Sequence, residues 1–171
     1  IVATKLHAPA PRAGIVARDR LVGRVNSSRR AALTLVSAPA GFGKTTLLAT
    51  CAQLDDRRVA WLSLDAADND PSRFWLHVTA AVRNAVTEDE SSDLGAANAG
   101  AGAGGDVVVA LVNELAQLDD DVTLVFDDYH VIEATPIHEA VTFLIEHLPP
   151  CARIVIGTRA DPPLPLARLR A

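Results

Sequence analysis

The sequence lacks most of what disulfide-rich, metal-centred and membrane proteins need. It has 171 residues, no methionine, two cysteines and five histidines. Cys51 and Cys151 are too few and too ordinary in setting for a disulfide framework or a metal site, and the histidines show no ligand spacing. No apolar run approaches the roughly 20 residues of a membrane span, and no basic-then-apolar signal segment opens the chain. These absences predict a cytoplasmic protein without a membrane contact.

Charge is distributed unevenly along the chain. Residues 1–30 carry seven basic residues and one acid (+6), which leaves nine basic and twenty acidic residues (−11) to complete the net charge of −5. This excess of negative charge after residue 30 predicts that the chain does not bind specific DNA. The arginines of the first 30 residues lack interleaved aromatics, which favours a solvated helix with nucleotide contacts over a nucleic-acid patch. Because the chain does not begin with methionine, we expect a piece of a longer protein.

The most informative stretch is LTLVSAPAGFGKTT, residues 33–46, in which an apolar run leads into a loop of small residues that ends in Gly-Lys-Thr. Residues 33–36 predict a buried strand. The residues after the loop favour a helix, whose N-terminus offers unpaired N–H groups and a dipole that attract an anion. Two glycines in the loop allow the backbone to curl around phosphate groups. The stretch therefore predicts a phosphate-binding loop.

The strict phosphate-loop pattern requires glycine where this chain has Ala38, so the alternative is an ordinary strand, turn and helix with a solvated lysine. The strand before the loop and the helix after it favour phosphate binding. We expect Lys44 to be exposed and to meet only the β- and γ-phosphates, and the Thr45 hydroxyl to ligate Mg²⁺. The nucleotide contacts predicted in the loop are Ala40, Gly41, Phe42, Gly43, Lys44, Thr45 and Thr46.

Two adjacent acids, Asp127 and Asp128, follow the apolar residues 122–126. Asp127 is predicted to hold Mg²⁺ through water, and Asp128 to accept a proton from the attacking water. The alternative is a strand that ends in solvated acids, but the phosphate loop upstream favours the nucleotide interpretation. A water-activating carboxylate beside the metal residue favours hydrolysis of a nucleoside triphosphate over phosphoryl transfer to a small molecule.

Further polar residues follow the predicted strands. Arg159 ends a strand, where ligands of open α/β sheets bind, so it is either a sensor of the γ-phosphate or a surface arginine. For His130, a packed or solvated loop position is favoured over contact with the γ-phosphate. Asp65, Asp68 and Asn69 form a cluster for which turn formation and helix capping are sufficient explanations.

Strands and helices alternate along the chain, which predicts a parallel sheet covered by helices on both faces. Strands are expected at residues 33–36, 59–65, 122–126 and 153–157. Helices are expected at about 44–54, about 71–87, from 106 onward, and from 135 through an inner stripe that ends at Leu148. The low-complexity run at 95–105 predicts a flexible surface insertion, and the residues after 160 are expected to be mostly extended.

Six short stretches, taken in order, resemble the nucleotide-binding domain of MalT-like, large LuxR-type transcriptional activators, which belong to the STAND class of signalling ATPases. The stretches are TKLHAP (4–9), VARDRL (16–21), LVSAPAGFGKTT (35–46), WLSLDAADND (61–70), VFDDYH (125–130) and GTRADPPLPLARLR (157–170). The resemblance implies an α/β P-loop NTPase fold of the NB-ARC kind, a three-layer sandwich with strand order 1-4-3-2. It also implies that the fifth strand is missing from this chain, so that the first strand is an unpaired edge, open to another chain or to a cover such as the N-terminal arm.

The resemblance implies roles for particular residues. Residues 1–30 become a basic arm that contributes adenine contacts, and residues 31–171 become the P-loop core. The implied residues are Lys44, Asp128 and Arg159 for catalysis, Thr45 and Asp127 for Mg²⁺, and Val16 and Arg18 for adenine.

The implied function is an ATP/ADP-binding switch with slow ATP hydrolysis. The ADP form is closed, whereas ATP with an inducer permits self-association of the full-length regulator and DNA binding by parts outside this chain. Two alternatives remain open. One is an interaction module that holds a nucleotide without turnover, and the other is a small-molecule kinase, which would need an acceptor pocket and an arginine-rich lid that the sequence does not show.

Overall fold

The computed structural model describes residues 1–10, 18–28, 31–86 and 104–169. The strands are β1 (Leu33–Ser37), β2 (Arg58–Ser63), β3 (Val122–Asp127) and β4 (Ala152–Thr158). The helices are α1 (Asp19–Ser27), α2 (Lys44–Gln53), α3 (Pro71–Val86), α4 (Gly104–Leu115), α5 (Thr135–Glu146) and the four-residue α6 (Leu166–Leu169). Short 3₁₀ turns lie at Ala3–Leu6, Ala66–Asn69 and Tyr129–Val131.

The four strands form one parallel sheet in the order β1-β4-β3-β2, which confirms the predicted topology. The register pairs Ser37 with Thr158 and Ser63 with Asp127. The carboxyl ends of the strands therefore meet at one edge of the sheet, where ligands bind in open α/β folds.

Side chains alternate between the two faces of the sheet, as the two-residue period of a strand requires. Trp61, Val125 and Val155 pack with α1 and α2 on one face. Their neighbours along the strands, which include Leu62, Phe126 and Ile156, pack with α3, α4 and α5 on the other face. Helices thus cover both faces, and the predicted three-layer α/β sandwich is confirmed.

Strand β1 is an edge strand, as predicted, because its only partner in the described sheet is β4. The expectation of a buried strand was wrong in degree: its first four side chains are only half-buried and Ser37 is exposed. The N-terminal turn at Ala3–Leu6 packs instead against β2 and α3, at the opposite edge of the sheet. This part of the arm is therefore no cover for β1.

Several predicted boundaries differ from the structure. Helix α4 begins at Gly104, inside the insertion predicted at 95–105, and the remaining residues of that insertion, 95–103, lie outside the described residues. Helix α5 ends at Glu146, so Leu148 follows the helix instead of closing its inner stripe. The tail contains the short helix α6. Among the described residues, no helix combines the length and apolarity needed to cross a membrane.

A buried charge cluster ties the N-terminal turn to the core. Asp68 is fully buried, and its carboxylate accepts hydrogen bonds from the Lys5 ammonium and, at 2.9 Å, from the backbone N–H of Asp65. His77 Nδ1 on α3 lies 2.9 Å from the second oxygen of Asp68. The Lys5 ammonium also lies 3.1 Å from Asp65. Residues far apart in the sequence thus share one desolvated ion pair.

We expect Lys5→Met to lower the free energy of unfolding by about 3 kcal/mol at pH 7, because it leaves the buried Asp68 carboxylate without its main cation. Arg73→Met is the control, since its Nε is 3.5 Å from Asp68 and its side chain is 42% exposed; its loss should stay below about 1 kcal/mol. Chemical denaturation measures both. Equal losses would contradict the assignment of Lys5 as the main partner.

The same pair predicts a pH dependence. Burial alone would raise the pKa of Asp68, but hydrogen bonds from Lys5, from the Asp65 backbone and from His77, with the charge of Lys5, hold it below its usual value. A pKa that is lower in the folded state adds stability above the unfolded pKa and loses it as the pH falls through the folded value. The stability gap between wild type and Lys5→Met should therefore shrink below about pH 4.

Candidate functional site

The loop between β1 and α2 lies at the carboxyl edge of the sheet. It starts at Ala38, whose backbone N–H donates to the Thr158 carbonyl at the end of β4 over 3.2 Å. Gly41 and Gly43 have φ angles of +80° and +72°, in the left-handed region that side chains disfavour. Gly43 is the N-cap of α2, so the first amides of this helix are directed toward the loop. The loop has the backbone form that an anion site requires.

Lys44 is buried, with 7% of its surface exposed, and so the expectation of an exposed lysine that meets only phosphate was wrong. Its ammonium donates to the carbonyls of Ala38 at 2.7 Å and Pro39 at 3.1 Å. An ammonium needs several acceptors, and the start of the loop supplies them within reach of the side chain. Lys44 therefore bridges the two ends of the loop and keeps a positive charge over it.

The two predicted metal ligands are neighbours. The Thr45 side chain, in the first turn of α2, lies close enough to Asp127, at the end of β3, to act on its pKa. Asp127 is 2% exposed, and its Oδ1 has no hydrogen-bond partner among the described residues. Burial and the charge of Asp128 raise the pKa of Asp127, while Thr45 and Lys44 oppose the rise. A buried, incompletely satisfied carboxylate beside a hydroxyl is a suitable place for a divalent cation.

The described residues hold no group of three or more His, Cys, Asp or Glu side chains that could enclose a metal. A magnesium site does not need such a group, because Mg²⁺ keeps several waters and uses one or two protein oxygens together with phosphate oxygens.

Asp128 and His130 lie in the segment that directly follows β3. Asp128 has a φ of 59°, and within the described residues it is the one non-glycine residue with positive φ. His130 Nδ1 lies 3.7 Å from the Asp128 carboxylate. Burial and the positive charges of Arg159 and Lys44 lower the pKa of His130, against the opposing effect of Asp128. The loop position that the sequence favoured for His130 thus lies among the charged residues of the site, namely Asp128, Arg159 and Lys44.

Arg18 reaches the loop from the start of α1. Its guanidinium donates to the Phe42 carbonyl over 2.7 Å, and a Cβ added to Gly43 would lie 3.7 Å from it. The Phe42 side chain is 59% exposed, Ala40 is exposed, and Thr46 is half-buried in the first turn of α2. Val16, the other predicted adenine contact, lies outside the described residues. One end of the sheet therefore carries the residues of the β1–α2 loop together with Arg18, Asp127, Asp128 and Arg159.

Sequence reasoning missed the role of Gly157 in β4. A Cβ at this position would lie 2.9 Å from Asp127 Oδ1 and 2.6 Å from a methyl carbon of Leu48. Glycine is required here because the Asp127 carboxylate packs directly against the β4 backbone. A glycine inside an apolar strand is itself a signal of such close approach, and RIVIG contains it.

Comparisons with known proteins support the resemblance seen in the motifs. No family model matches the chain. The HTH-type transcriptional regulator MalT of Yersinia enterocolitica is 36% identical over 171 residues, which cover 99% of this chain and 19% of that protein. MalT of Yersinia pestis is 36% identical over 176 residues, with the same coverage. The chain thus spans about a fifth of the length of these relatives. The predicted resemblance is confirmed: the chain is related to one segment of the MalT regulators, which are large LuxR-family proteins.

A solved structure supports the fold. One chain of "Structure of Drosophila ORC bound to DNA" superposes with a TM-score of 0.55 and 11% identity, covering 92% of this chain and 42% of that chain. At this identity the likeness concerns the fold alone. Together with the strand order, it confirms the P-loop NTPase-like architecture.

We expect Gly157→Ala to lower the free energy of unfolding by about 1–3 kcal/mol, because the new methyl group must displace Leu48 or Asp127 in a packed interior. Gly23→Ala is the matched control. Gly23 lies within α1, where an added Cβ would meet no neighbouring atom within 4 Å, so the same change should raise stability by about 0.5–1 kcal/mol. Opposite signs in chemical denaturation are the expected result, and equal effects would contradict the close approach at Gly157.

Proposed function

We propose that this chain, related to one segment of the MalT regulators, is an ATP/ADP-binding switch domain of the STAND class that hydrolyses ATP slowly with Mg²⁺. One observation carries the proposal. The Thr45 side chain, next to Lys44 at the start of α2, lies beside the buried Asp127 carboxylate at the end of β3, whose Oδ1 has no hydrogen-bond partner among the described residues. This arrangement places a phosphate-binding loop next to a metal-binding carboxylate, as nucleotide hydrolysis requires.

The loop supplies the phosphate contacts. The left-handed glycines and the first amides of α2 present N–H donors, and the helix dipole adds positive potential. Lys44 places a further positive charge over the loop, and it can exchange its bonds with the carbonyls of Ala38 and Pro39 for bonds with phosphate oxygens. Arg18, at the Phe42 carbonyl, stands at the rim of the loop, where it can contact the nucleotide.

Thr45 and Asp127 are the proposed Mg²⁺ residues. When bound, Mg²⁺ neutralises charge on the phosphates. Asp127 fits this role because it is buried, lies beside Thr45, and has one oxygen that no described group satisfies. Burial of a carboxylate without a full set of partners is costly, so a cation at this place stabilises the folded domain.

Asp128 is the proposed proton acceptor for the attacking water. Its side chain is 41% exposed, so water can reach it, and it follows the metal residue directly. Arg159 and Lys44 are the proposed source of positive charge for the transferred phosphate. Both act on the neighbouring His130, whose pKa is lowered first by burial and then by these charges.

The relatives support a regulatory role. A nucleotide-binding domain similar to a fifth of an HTH-type transcriptional regulator is suited to report the nucleotide state to other parts of such a protein. We therefore propose that it acts in the cytoplasm, that it promotes self-association of the longer regulator in the ATP form, and that DNA is bound elsewhere. The acidic charge of residues 31–171 supports the last point.

Lys44→Ala tests the nucleotide site. Wild type should gain thermal stability with saturating ATP and Mg²⁺, by about 2.7 kcal/mol at a hundredfold excess over Kd, and the variant should lose this gain. Its ligand-free stability should fall by only about 1 kcal/mol, through the lost carbonyl bonds. Arg20→Ala, which removes one exposed positive charge from α1, should keep the gain. An undiminished gain in Lys44→Ala would contradict the phosphate-loop assignment.

Asp128→Asn and Asp127→Asn should separate hydrolysis from metal binding. Asn tolerates the left-handed φ of residue 128 but cannot accept the proton, so Asp128→Asn should keep ATP affinity and lose turnover by roughly 10²- to 10⁴-fold. Asp127→Asn should weaken ATP binding in Mg²⁺ but not in EDTA. Nucleotide titrations and single-turnover assays measure both. Equal effects on binding would contradict the division of roles, and wild-type binding without turnover would identify a nucleotide-holding module.

A further inference from the structure

We propose that Asn69 is a positioning residue that holds the loop carrying Asp128 and His130 at the phosphate end of the sheet. This inference rests on the proposed function, because it concerns the same site. Asn69 ends the 3₁₀ turn that follows β2. Its amide makes four hydrogen bonds, three of which reach a segment more than 60 residues away in the sequence.

Both the oxygen and the nitrogen of the Asn69 side-chain amide form hydrogen bonds. The side-chain oxygen of Asn69 accepts from the backbone N–H groups of Glu133 at 2.7 Å and Ala134 at 3.1 Å. The side-chain nitrogen donates to the carbonyl of Val131 at 2.8 Å and to the carbonyl of Ala66, in its own turn, at 3.1 Å. Asn69 thus binds residues 131–134 through both its donor and its acceptor atoms, and these three bonds form a clasp on that segment.

The loop needs such a clasp because its first residue is strained. Asp128 has the left-handed φ of 59°, a conformation that persists only where the surrounding structure enforces it. Val131 is the last residue of the 3₁₀ turn, and its N–H donates to the Asp128 carbonyl over 3.1 Å. The Asn69 bond to Val131 therefore acts one hydrogen bond away from Asp128. Tyr129, which lies between Asp128 and Val131 in the sequence, is buried, and its hydroxyl is 2.9 Å from His138 Nδ1.

The clasp itself has a rigid support. Asp68, the residue before Asn69, is fully buried and bound to Lys5 and His77. The turn that carries Asn69 therefore cannot shift without breaking a desolvated ion pair. A movement of the N-terminal turn that released Lys5 would loosen this support.

Helix capping is the competing explanation, since Glu133 and Ala134 directly precede α5. It accounts for the two bonds that the Asn69 oxygen accepts. It does not account for the donor bond to Val131, which belongs to the turn that contains His130. The two explanations differ in what Asn69→Asp does: this variant keeps an acceptor oxygen for both amides but places a carboxylate oxygen against the Val131 carbonyl.

Three variants of the full chain decide between them: Asn69→Ala, Asn69→Asp and Asp70→Ala. Asp70 is the matched control, because its carboxylate caps α3 by accepting from the Arg73 N–H at 2.8 Å, one residue from Asn69. The readouts are amide hydrogen exchange of Glu133 and Ala134, the affinities for ATP and ADP, and single-turnover hydrolysis.

In Asn69→Ala we expect exchange at the Glu133 and Ala134 amides to rise by roughly tenfold or more, and hydrolysis to fall by roughly ten- to a hundredfold, with ADP affinity unchanged. Asn69→Asp should restore the protection of the amides but not hydrolysis. Asp70→Ala should leave both near wild type. Full rescue of hydrolysis by Asn69→Asp, or an equal loss in Asp70→Ala, would overturn the proposal in favour of capping.

Failure of the proposed function would look different. If wild type binds nucleotide without turnover, the ratio of ATP to ADP affinity replaces hydrolysis as the readout, and Asn69→Ala should lower this ratio. If wild type binds no nucleotide, the proposed function fails, and with it the functional part of this proposal. Unchanged exchange at Glu133 and Ala134 in Asn69→Ala would overturn the clasp in every case.

Discussion

The approach of the Thr45 side chain to the Asp127 carboxylate is the arrangement on which the candidate site depends. It requires α2 to start where it does, because one residue of delay would turn Thr45 away by about 100°. It also requires the end of β3 to lie beside that helix. Asp127 can take this place only because its neighbour on β4 is Gly157, where a Cβ would come within 2.9 Å of the carboxylate. Loop, helix and sheet register therefore meet at the buried Asp127 carboxylate.

Local patterns were sufficient to predict the elements of the site. The loop glycines, Lys44 and Thr45 lie within a few residues of each other, and the two aspartates end an apolar run, so spacing alone indicates strand, loop and helix. The strand order was less accessible, because it depends on which strands pair across the chain, and it came from the resemblance. The structure confirms that order.

Other features could not be predicted because they depend on distances between remote segments. Lys44 lies on the carbonyls of its own loop, which a motif does not specify. The clasp of Asn69 on residues 131–134 joins two turns that are adjacent only in the folded chain. The same holds for the arm, where the pairing of Lys5 with Asp68 places the first residues beside β2 instead of β1.

Two buried charge clusters hold the ends of the sheet. Lys5, Asp68 and His77 lie near the carboxyl end of β2. Near the amino end of β4, the buried Arg153 is 2.6 Å from Asp55, donates to Thr123 at 2.9 Å, and donates to the Val25 carbonyl of α1 at 3.2 Å. Since Arg18 immediately precedes α1, this second cluster fixes the helix that brings Arg18 to the loop. Both parts of the arm are therefore anchored to the core by desolvated ions.

The edge position of β1 has a mechanical consequence for the loop that follows it. A strand paired on one side makes half the inter-strand hydrogen bonds of a central strand, so β1 is more compliant than the central strands β4 and β3. The loop of the candidate site is attached at one end to this compliant strand and at the other to α2, which is packed against the core. On the side of β1 where the described residues place no strand, an added strand would double its restraint. The stiffness of the loop can thus be set from outside the site, without any contact to the loop itself.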